Sequence, residues 1–166
     1  FDMVVLQHEI PLETVHYVIE FCYEKGIKIV LNPAPAAAVP MEIIDKVTYV
    51  TPNEHEAVLI FGDKLSTEDL LRKYPEKLVI TQGSRGVSTC LKDGRILNIP
   101  ARKAQVVDTT GAGDTLNGAF SVQIAEGKAI EDALTYANVA ASLSTEKFGA
   151  QTGMPTAEEV ETELKK

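Results

Sequence analysis

The 166-residue chain has only two cysteines, Cys22 and Cys90, which lie far apart and form neither a CxxC pair nor a zinc-type grouping with His8, His16 or His55. They read as reduced, buried thiols rather than as a disulfide or metal framework. Basic charge is also scarce: 16 Lys and Arg stand against 24 Asp and Glu, a net charge of −8. That balance argues against nucleic acid or an anionic membrane as partner, because phosphate backbones are held mainly by clustered Lys and Arg. Any phosphate bound here must be held locally. No apolar run approaches the ~18 residues of a membrane span. No basic-then-apolar leader opens the chain, so a cytoplasmic protein is expected. The absence of a G-x-G-x-x-G after the first apolar stretch argues against an NAD-dependent oxidoreductase. No repeat, low-complexity tract or linker is visible, so residues 1–166 are expected to form a single α/β domain, and 45% hydrophobic content is enough for a sizeable core.

The chain opens on Phe1 and runs directly into the apolar Met3-Val4-Val5-Leu6, which reads as a buried strand continuing from a preceding portion. Pro11 sits where a helix starts, and Leu12, Val15, Ile19 and Cys22 recur at helical spacing until Gly26. Lys28 to Leu31 is the next strand, and strand, helix, strand over so short a span implies a parallel sheet covered by helices. A proline-rich loop from Asn32 to Pro40 precedes a short strand at Thr48 to Val50 and a helical segment from Asn53 through Phe61. Leu78 to Thr81 reads as a fourth strand. Gly86 to Leu91 and Ile96 to Ile99, joined by Lys92-Asp93-Gly94-Arg95, read as a hairpin through the Asp-Gly turn signal. Helices are expected over about 112–126, 130–146 and 156–165, broken at Gly127 and at Gly149-Ala150-Gln151.

The sharpest chemical signal is Asp108-Thr109-Thr110-Gly111-Ala112-Gly113-Asp114 at the start of a helix. Glycines there allow close backbone approach, and unpaired N–H groups with the helix dipole form an anion site without any lysine. Asp114, in the first turn, is placed to accept a proton from an alcohol beside that site, which is the arrangement phosphoryl transfer needs. A tight turn followed by a carboxylate that merely favours the helix N-terminus is the plainer alternative, worth only ~0.3–1 kcal/mol. Upstream, Thr51-Pro52-Asn53-Glu54-His55-Glu56 has the spacing of a capping box, Asn53 with Glu56 three residues on. Thr81-Gln82-Gly83-Ser84-Arg85-Gly86 follows a strand and reads as a glycine-bearing turn. Glu9 stands after the first strand, at the edge where parallel sheets bind ligands. Asn138 lies in a helix rich in small residues, a pattern that favours close helix packing.

The complete Asp108 to Asp114 string closely resembles the DTxGAGD signature of the ribokinase (PfkB) family of carbohydrate kinases, Asn53 to Glu56 resembles its NxxE motif, and Thr81 to Gly86 its TxGSxG nucleotide loop. The resemblance covers essentially the whole chain, in the family's motif order. It implies a three-layer, ribokinase-like (Rossmann-like) α/β fold with a mostly parallel sheet and helices on both faces, incomplete at its N-terminal side. By it, Asp114 is the base and a sugar contact, and Gly111, Ala112 and Gly113 supply the amides that stabilise the transferred phosphoryl. Asn53, Thr81, Gln82, Gly83, Ser84, Arg85, Gly86, Gly113 and Asn138 line the nucleotide, and Glu56 acts on Mg2+ indirectly. Asp108, Thr110, Ser144, Lys147, Gly149 and Gly153 surround a monovalent cation, commonly K+. Two positions depart from the usual pattern: Thr110, where an apolar residue is frequent, and Gly153, where Ser is. Gln7-His8-Glu9-Ile10-Pro11 resembles the segment whose Glu touches sugar hydroxyls, here Glu9, and Asn32-Pro33-Ala34-Pro35-Ala36 resembles the family without carrying an assigned role.

The resemblance therefore implies ATP-dependent phosphorylation of ribose to ribose 5-phosphate, with the N-terminal portion, lid and most sugar contacts lying outside this chain. Fructose, deoxyribose and nucleoside kinases of the same family remain alternatives, as does a nucleotide-binding piece that is catalytically incompetent. The piece alone is expected to have little activity. A sheet lacking neighbouring strands also exposes an edge and an apolar face, so self-association into a homodimer or larger assembly is expected.

Overall fold

The computed structural model describes residues 1–166. The chain divides into two compact units, Phe1–Gln82 with Ser88–Asn98, and Gly83–Val87 with Ile99–Lys166. In the first, β1 (Met3–Leu6), β2 (Lys28–Leu31) and β3 (Tyr49–Val50) form a parallel sheet in that order, with Met3 opposite Lys28 and Val30 opposite Tyr49. Isolated parallel bridges, Val50 to Leu78 and Asn53 to Thr81, lead on to β4 (Val79–Thr81). β4 heads a second sheet with β5 (Val87–Cys90) and β6 (Ile96–Ile99). Only short turns connect these three, too short for a parallel crossover, so the pairing is antiparallel as the Asp93-Gly94 signal anticipates.

Four helices accompany these strands: α1 (Leu12–Glu24), α2 (Met41–Lys46), α3 (Glu54–Phe61) and α4 (Thr67–Lys73). Val15, Ile19 and Cys22 of α1 recur on one face and join Ile29, Leu31, Ile43, Ile44, Val50, Leu71, Leu78 and Ile80 in one apolar core. Val30 points to the other face of β2 and is equally buried, so this strand is covered on both sides, as parallel strands are. Burying each such side chain contributes about 1.5–3 kcal/mol, against about 1 kcal/mol for a good helix cap, so packing rather than capping holds this unit. Hydrophobic spacing does not announce α2 or α4. Each has just two buried apolar residues, Ile43 and Ile44 in one, Leu70 and Leu71 in the other, too few to reveal a period.

The second unit contains a 3-10 turn at Gly83–Arg85 and helices α5 (Ala112–Ala125), α6 (Ile130–Ser144) and α7 (Ala157–Leu164). Leu116, Phe120 and Ile124 form the buried stripe of α5, and Ala133, Leu134, Ala137 and Ala140 that of α6. The alanines let the two helices pack closely along their length. α6 ends at Ser144 with Thr145 as its cap, so Gly149 belongs to the turns beyond and does not close the helix.

His8, 8% exposed, has its Nδ1 3.2 Å from the Pro35 carbonyl while its Nε2 is buried without a partner. Burial holds its pKa below the ordinary 6.5. The unfolded chain therefore takes up this proton first as pH falls, and the folded unit loses stability on acidification below about pH 6.5. Urea midpoints measured from pH 7.5 to 5 should show a smaller acid loss in His8→Gln than in the unmodified chain.

Candidate active site

In the first unit, hydrogen bonds stitch the carboxyl ends of the parallel strands together. Gln7 Nε2 donates to Asn32 Oδ1 (3.0 Å), and Asn32 Nδ2 donates to the Thr51 carbonyl (3.1 Å), linking the exits of β1, β2 and β3. The turn that carries Glu9 is held by the His8 amide on the Ala34 carbonyl (2.8 Å), and Glu9 itself is exposed on that turn. The Asn32 to Ala36 stretch, to which sequence reasoning assigns no chemistry, thus supports the Glu9 turn. An Asn at 8% exposure directly after the apolar Ile29-Val30-Leu31 is the signal that marks it.

Asn53 and Glu56 form the capping box their spacing implies: Asn53 Oδ1 accepts from the Glu56 amide (2.9 Å), and Glu56 Oε2 accepts from the Asn53 amide (2.8 Å). Glu56 is only 6% exposed, which is unusual for a cap acid on a surface helix. The Thr81 amide donates to the Pro52 carbonyl (2.9 Å), so the NxxE segment and the head of the Thr81 to Gly86 loop meet within this unit. Gln82 is engaged from β5 by Ser88 Oγ at 2.7 Å.

In the second unit, Gly83–Arg85 coil into the 3-10 turn and Gly86 follows at φ +95°; a β-carbon on Gly86 would overlap the Ile99 carbonyl, so no other residue fits. The Pro100 carbonyl beside it accepts from Asn138 Nδ2 (2.8 Å). Asn138 is 5% exposed, and its amide anchors the 99–100 segment to α6.

The Asp108 to Asp114 string is a turn running into α5. Both carboxylate oxygens of Asp108 are used, Oδ1 by the Thr110 amide and Oδ2 by the Gly149 amide, each at 2.9 Å. These bonds, from Thr110 first and then Gly149, hold the Asp108 carboxyl below its ordinary pKa. Gly111 caps α5 in the left-handed conformation, φ +80°, with a β-carbon position 2.9 Å from the Ala150 carbonyl. The Ala112 amide closes onto the Thr109 carbonyl at 3.2 Å, whereas no such bond engages the amides of Gly111 and Gly113. Gly113 differs from its neighbour: its φ is ordinary, and a β-carbon there would meet nothing within 4 Å. Asp114 follows, exposed in the first turn. Thr115 Oγ1 and Asn117 Nδ2 donate back to the Gly111 and Gly113 carbonyls, both at 2.9 Å, and fix this turn from inside.

The residues between α6 and α7 bring the remaining sites together. A β-carbon on Gly153 would lie 2.7 Å from the Ser144 carbonyl oxygen, 2.8 Å from that of Gly149 and 3.4 Å from that of Lys147. Three carbonyls therefore converge on this glycine, beside the Gly149 amide that Asp108 holds. A set of carbonyl and carboxylate oxygens is the donor type that hard cations take, so these residues fit a monovalent or alkaline-earth ion better than a soft metal. Any side chain at position 153 would require these carbonyls to stand further apart than they do here.

A family profile described as pfkB family carbohydrate kinase matches residues 2–157. The ribokinase of Bacillus subtilis is 54% identical over 160 residues, which is 96% of this chain and 54% of that protein. Among solved structures, the ribokinase of Thermotoga maritima superposes with a TM-score of 0.87 at 36% identity, covering 99% of this chain and 57% of that one. The ribokinase of Arabidopsis thaliana, solved with ribose and ATP, gives 0.89 at 30% identity, covering 99% and 56%. The fold is accordingly the ribokinase-like α/β fold, and the chain spans about half the length of the curated relatives it matches. The chain belongs to the pfkB family of carbohydrate kinases.

Proposed function

We propose that the protein carrying this chain transfers the γ-phosphoryl group of ATP to the primary 5-hydroxyl of ribose. The Asp114 carboxylate takes the hydroxyl proton, the sugar oxygen forms its bond to the γ-phosphorus, and the bond to the β-γ bridging oxygen breaks to release ADP. The helix-mouth amides of Gly111 and Gly113 bear the charge that spreads over the migrating group, with Ala112 fixing their turn. Thr81 to Gly86, together with Asn53 and Asn138, serve the nucleotide, and Glu9 a sugar hydroxyl. The Glu56 carboxylate orders the water around Mg2+, while Asp108 and the carbonyls of Thr110, Ser144, Lys147, Gly149 and Gly153 hold K+. When bound, the two cations neutralise phosphate charge and steady the loop.

The observation that carries this reading is Gly113. Gly111 is demanded by its backbone angle and by Ala150, but neither conformation nor packing demands Gly113, and glycine in a helix costs about 1 kcal/mol relative to alanine. A ligand approaching the backbone closely would account for it at the helix mouth, whereas Gly118, equally unconstrained, lies mid-helix. A nucleotide-binding, catalytically incompetent piece is the second reading, favoured by the chain spanning only about half of its relatives' length. Free self-association belongs to the same picture: β1 pairs only with β2, and Val5 on it is 43% exposed, so this edge is suited to a second copy or to more of the protein.

Three measurements test the proposal. Asp114→Asn in the full-length protein should lower turnover by at least about a hundredfold in a coupled ADP-release assay with nucleotide binding retained; near-normal turnover would sink the base assignment. Gly113→Ala should keep or slightly raise the melting temperature yet lower kcat on the order of a hundredfold, whereas Gly111→Ala should lose about 1–2 kcal/mol of stability from the left-handed backbone alone. Light scattering on the 166-residue chain should give a dimer or larger species, and a clean monomer refutes self-association.

A further inference from the structure

We propose that Arg102 is a positioning residue for the transfer reaction, acting on the Asp108 to Asp114 segment through the residues between α6 and α7, with α7 as its anchor. This rests on the reading of that segment as the phosphoryl-transfer site. Arg102 Nη1 donates to Glu146 Oε1 at 2.7 Å, and its Nε lies 2.8 Å from Glu163 Oε1. Glu146 stands just past the end of α6 and Glu163 lies in the last turn of α7. Further along from Arg102, the amides of Val107 and Asp108 both donate to the Thr145 carbonyl, at 2.8 and 3.1 Å. Thr145 and Glu146 are neighbours, so the stretch from 102 to 108, which has no helix or strand, is clamped twice to the same point. One clamp is an ion pair and the other a carbonyl shared by two amides.

The next residue extends the brace. Lys147 Nζ pairs with Glu159 Oε1 at 3.0 Å, and Glu159 also caps α7 by accepting from the Thr156 amide at 2.7 Å. The segment whose carbonyls converge on Gly153 is thus tied to α7 at its first turn and, through Arg102, at its last. Only a planar fork can point one nitrogen at each of two carboxylates in fixed geometry, which is why arginine rather than lysine suits this position. The side chains are also partly shielded from water, 24% exposed for Arg102, 30% for Glu146 and 17% for Glu163. By contrast, the Arg72–Glu68 pair is 49% and 66% exposed, the kind that solvent screens to little effect. Asp108 then converts the brace into active-site geometry, because the Thr110 and Gly149 amides bind its two oxygens.

The test is run on the full-length protein with Arg102→Met, Arg102→Lys and Glu163→Gln. Arg102→Met should raise the half-saturating K+ concentration on the order of tenfold, as loss of outer partners of an ion site does. It should also speed deuterium exchange at the Thr110 and Gly149 amides, a readout independent of turnover. Arg102→Lys should recover part of both effects, and Glu163→Gln should move both in the same direction by less. A lower melting temperature with unchanged K+ dependence and unchanged exchange at those two amides means the ion pairs only fasten α7, and the inference is overturned. If Arg102→Met does not fold, Glu163→Gln decides by the same two readouts. Asp114→Asn run alongside separates the two layers: if it stays active the transfer reading fails, while the exchange rates still report whether Arg102 positions the segment.

Discussion

The carboxylate of Asp108 is the tie on which the geometry of the second unit's motif depends. One oxygen holds the amide of Thr110, two residues on, and the other the amide of Gly149, 41 residues away in sequence. The first bond shapes the turn that leads to Gly111, and the second brings that turn against the segment where the carbonyls of Ser144, Lys147 and Gly149 gather. The acid therefore sets two arrays at once, the amides at the mouth of α5 and the carbonyls gathered at Gly153, which the proposed reading gives to an anion and a cation. Its lowered pKa keeps it charged throughout the neutral range, so the tie does not loosen with ordinary changes in pH.

Around that tie, steric constraint separates two kinds of glycine. Gly86, Gly111 and Gly153 are required by the chain itself, since a β-carbon on each would strike backbone atoms of Ile99, Ala150 or Ser144. No side chain can yield at those places, so the loops can close only where glycine stands. Gly113 belongs to the other kind. Nothing in the folded chain asks for it, and its neighbour Asp114 is exposed on the same first turn. Structural need explains the frame of the motif, and the position the frame leaves over is the one the proposed chemistry uses.

Much of this was legible in the residues, for a physical reason. The bounds of β1, β2 and β6 follow from short apolar runs bounded by turn signals, and α1, α5 and α6 have enough buried positions to show their period. The capping box at Asn53 and Glu56 is a local bond pattern fixed by spacing, and it forms as read. What escaped depends on contacts between residues distant in sequence. Arg102, whose partners Glu146 and Glu163 lie 44 and 61 residues on, looks from the sequence like any surface cation. Asn32 gains its meaning only when β1 and β3 flank it. The short helix α4 did carry a local sign, Ser66 with Asp69 three residues later, and both side-chain and backbone bonds of that cap are present. Asn138 illustrates the converse, a residue whose sequence context admits both packing and ligand roles and whose buried amide serves the Pro100 carbonyl.

The acidity of the chain bears on how it can serve a polyanion at all. With a net charge of −8, attraction from the overall field is the wrong sign for a nucleotide, so whatever holds phosphate must act within a few ångströms. Backbone amides at a helix mouth do that, because their partial charges are fixed by the fold and keep little reach beyond the first turn. Cations bound by carbonyls and carboxylates act over the same short range. On the proposed reading an acidic surface discourages unspecific anions while the local site takes one that fits its geometry, and the cost falls on precision: amides on α5 and carbonyls after α6 must then be held in register by something stiffer than a loop. In this chain that stiffness comes from the close packing of α5 on α6 and from Asp108, with the ion pairs of Arg102 and Lys147 to α7 behind them.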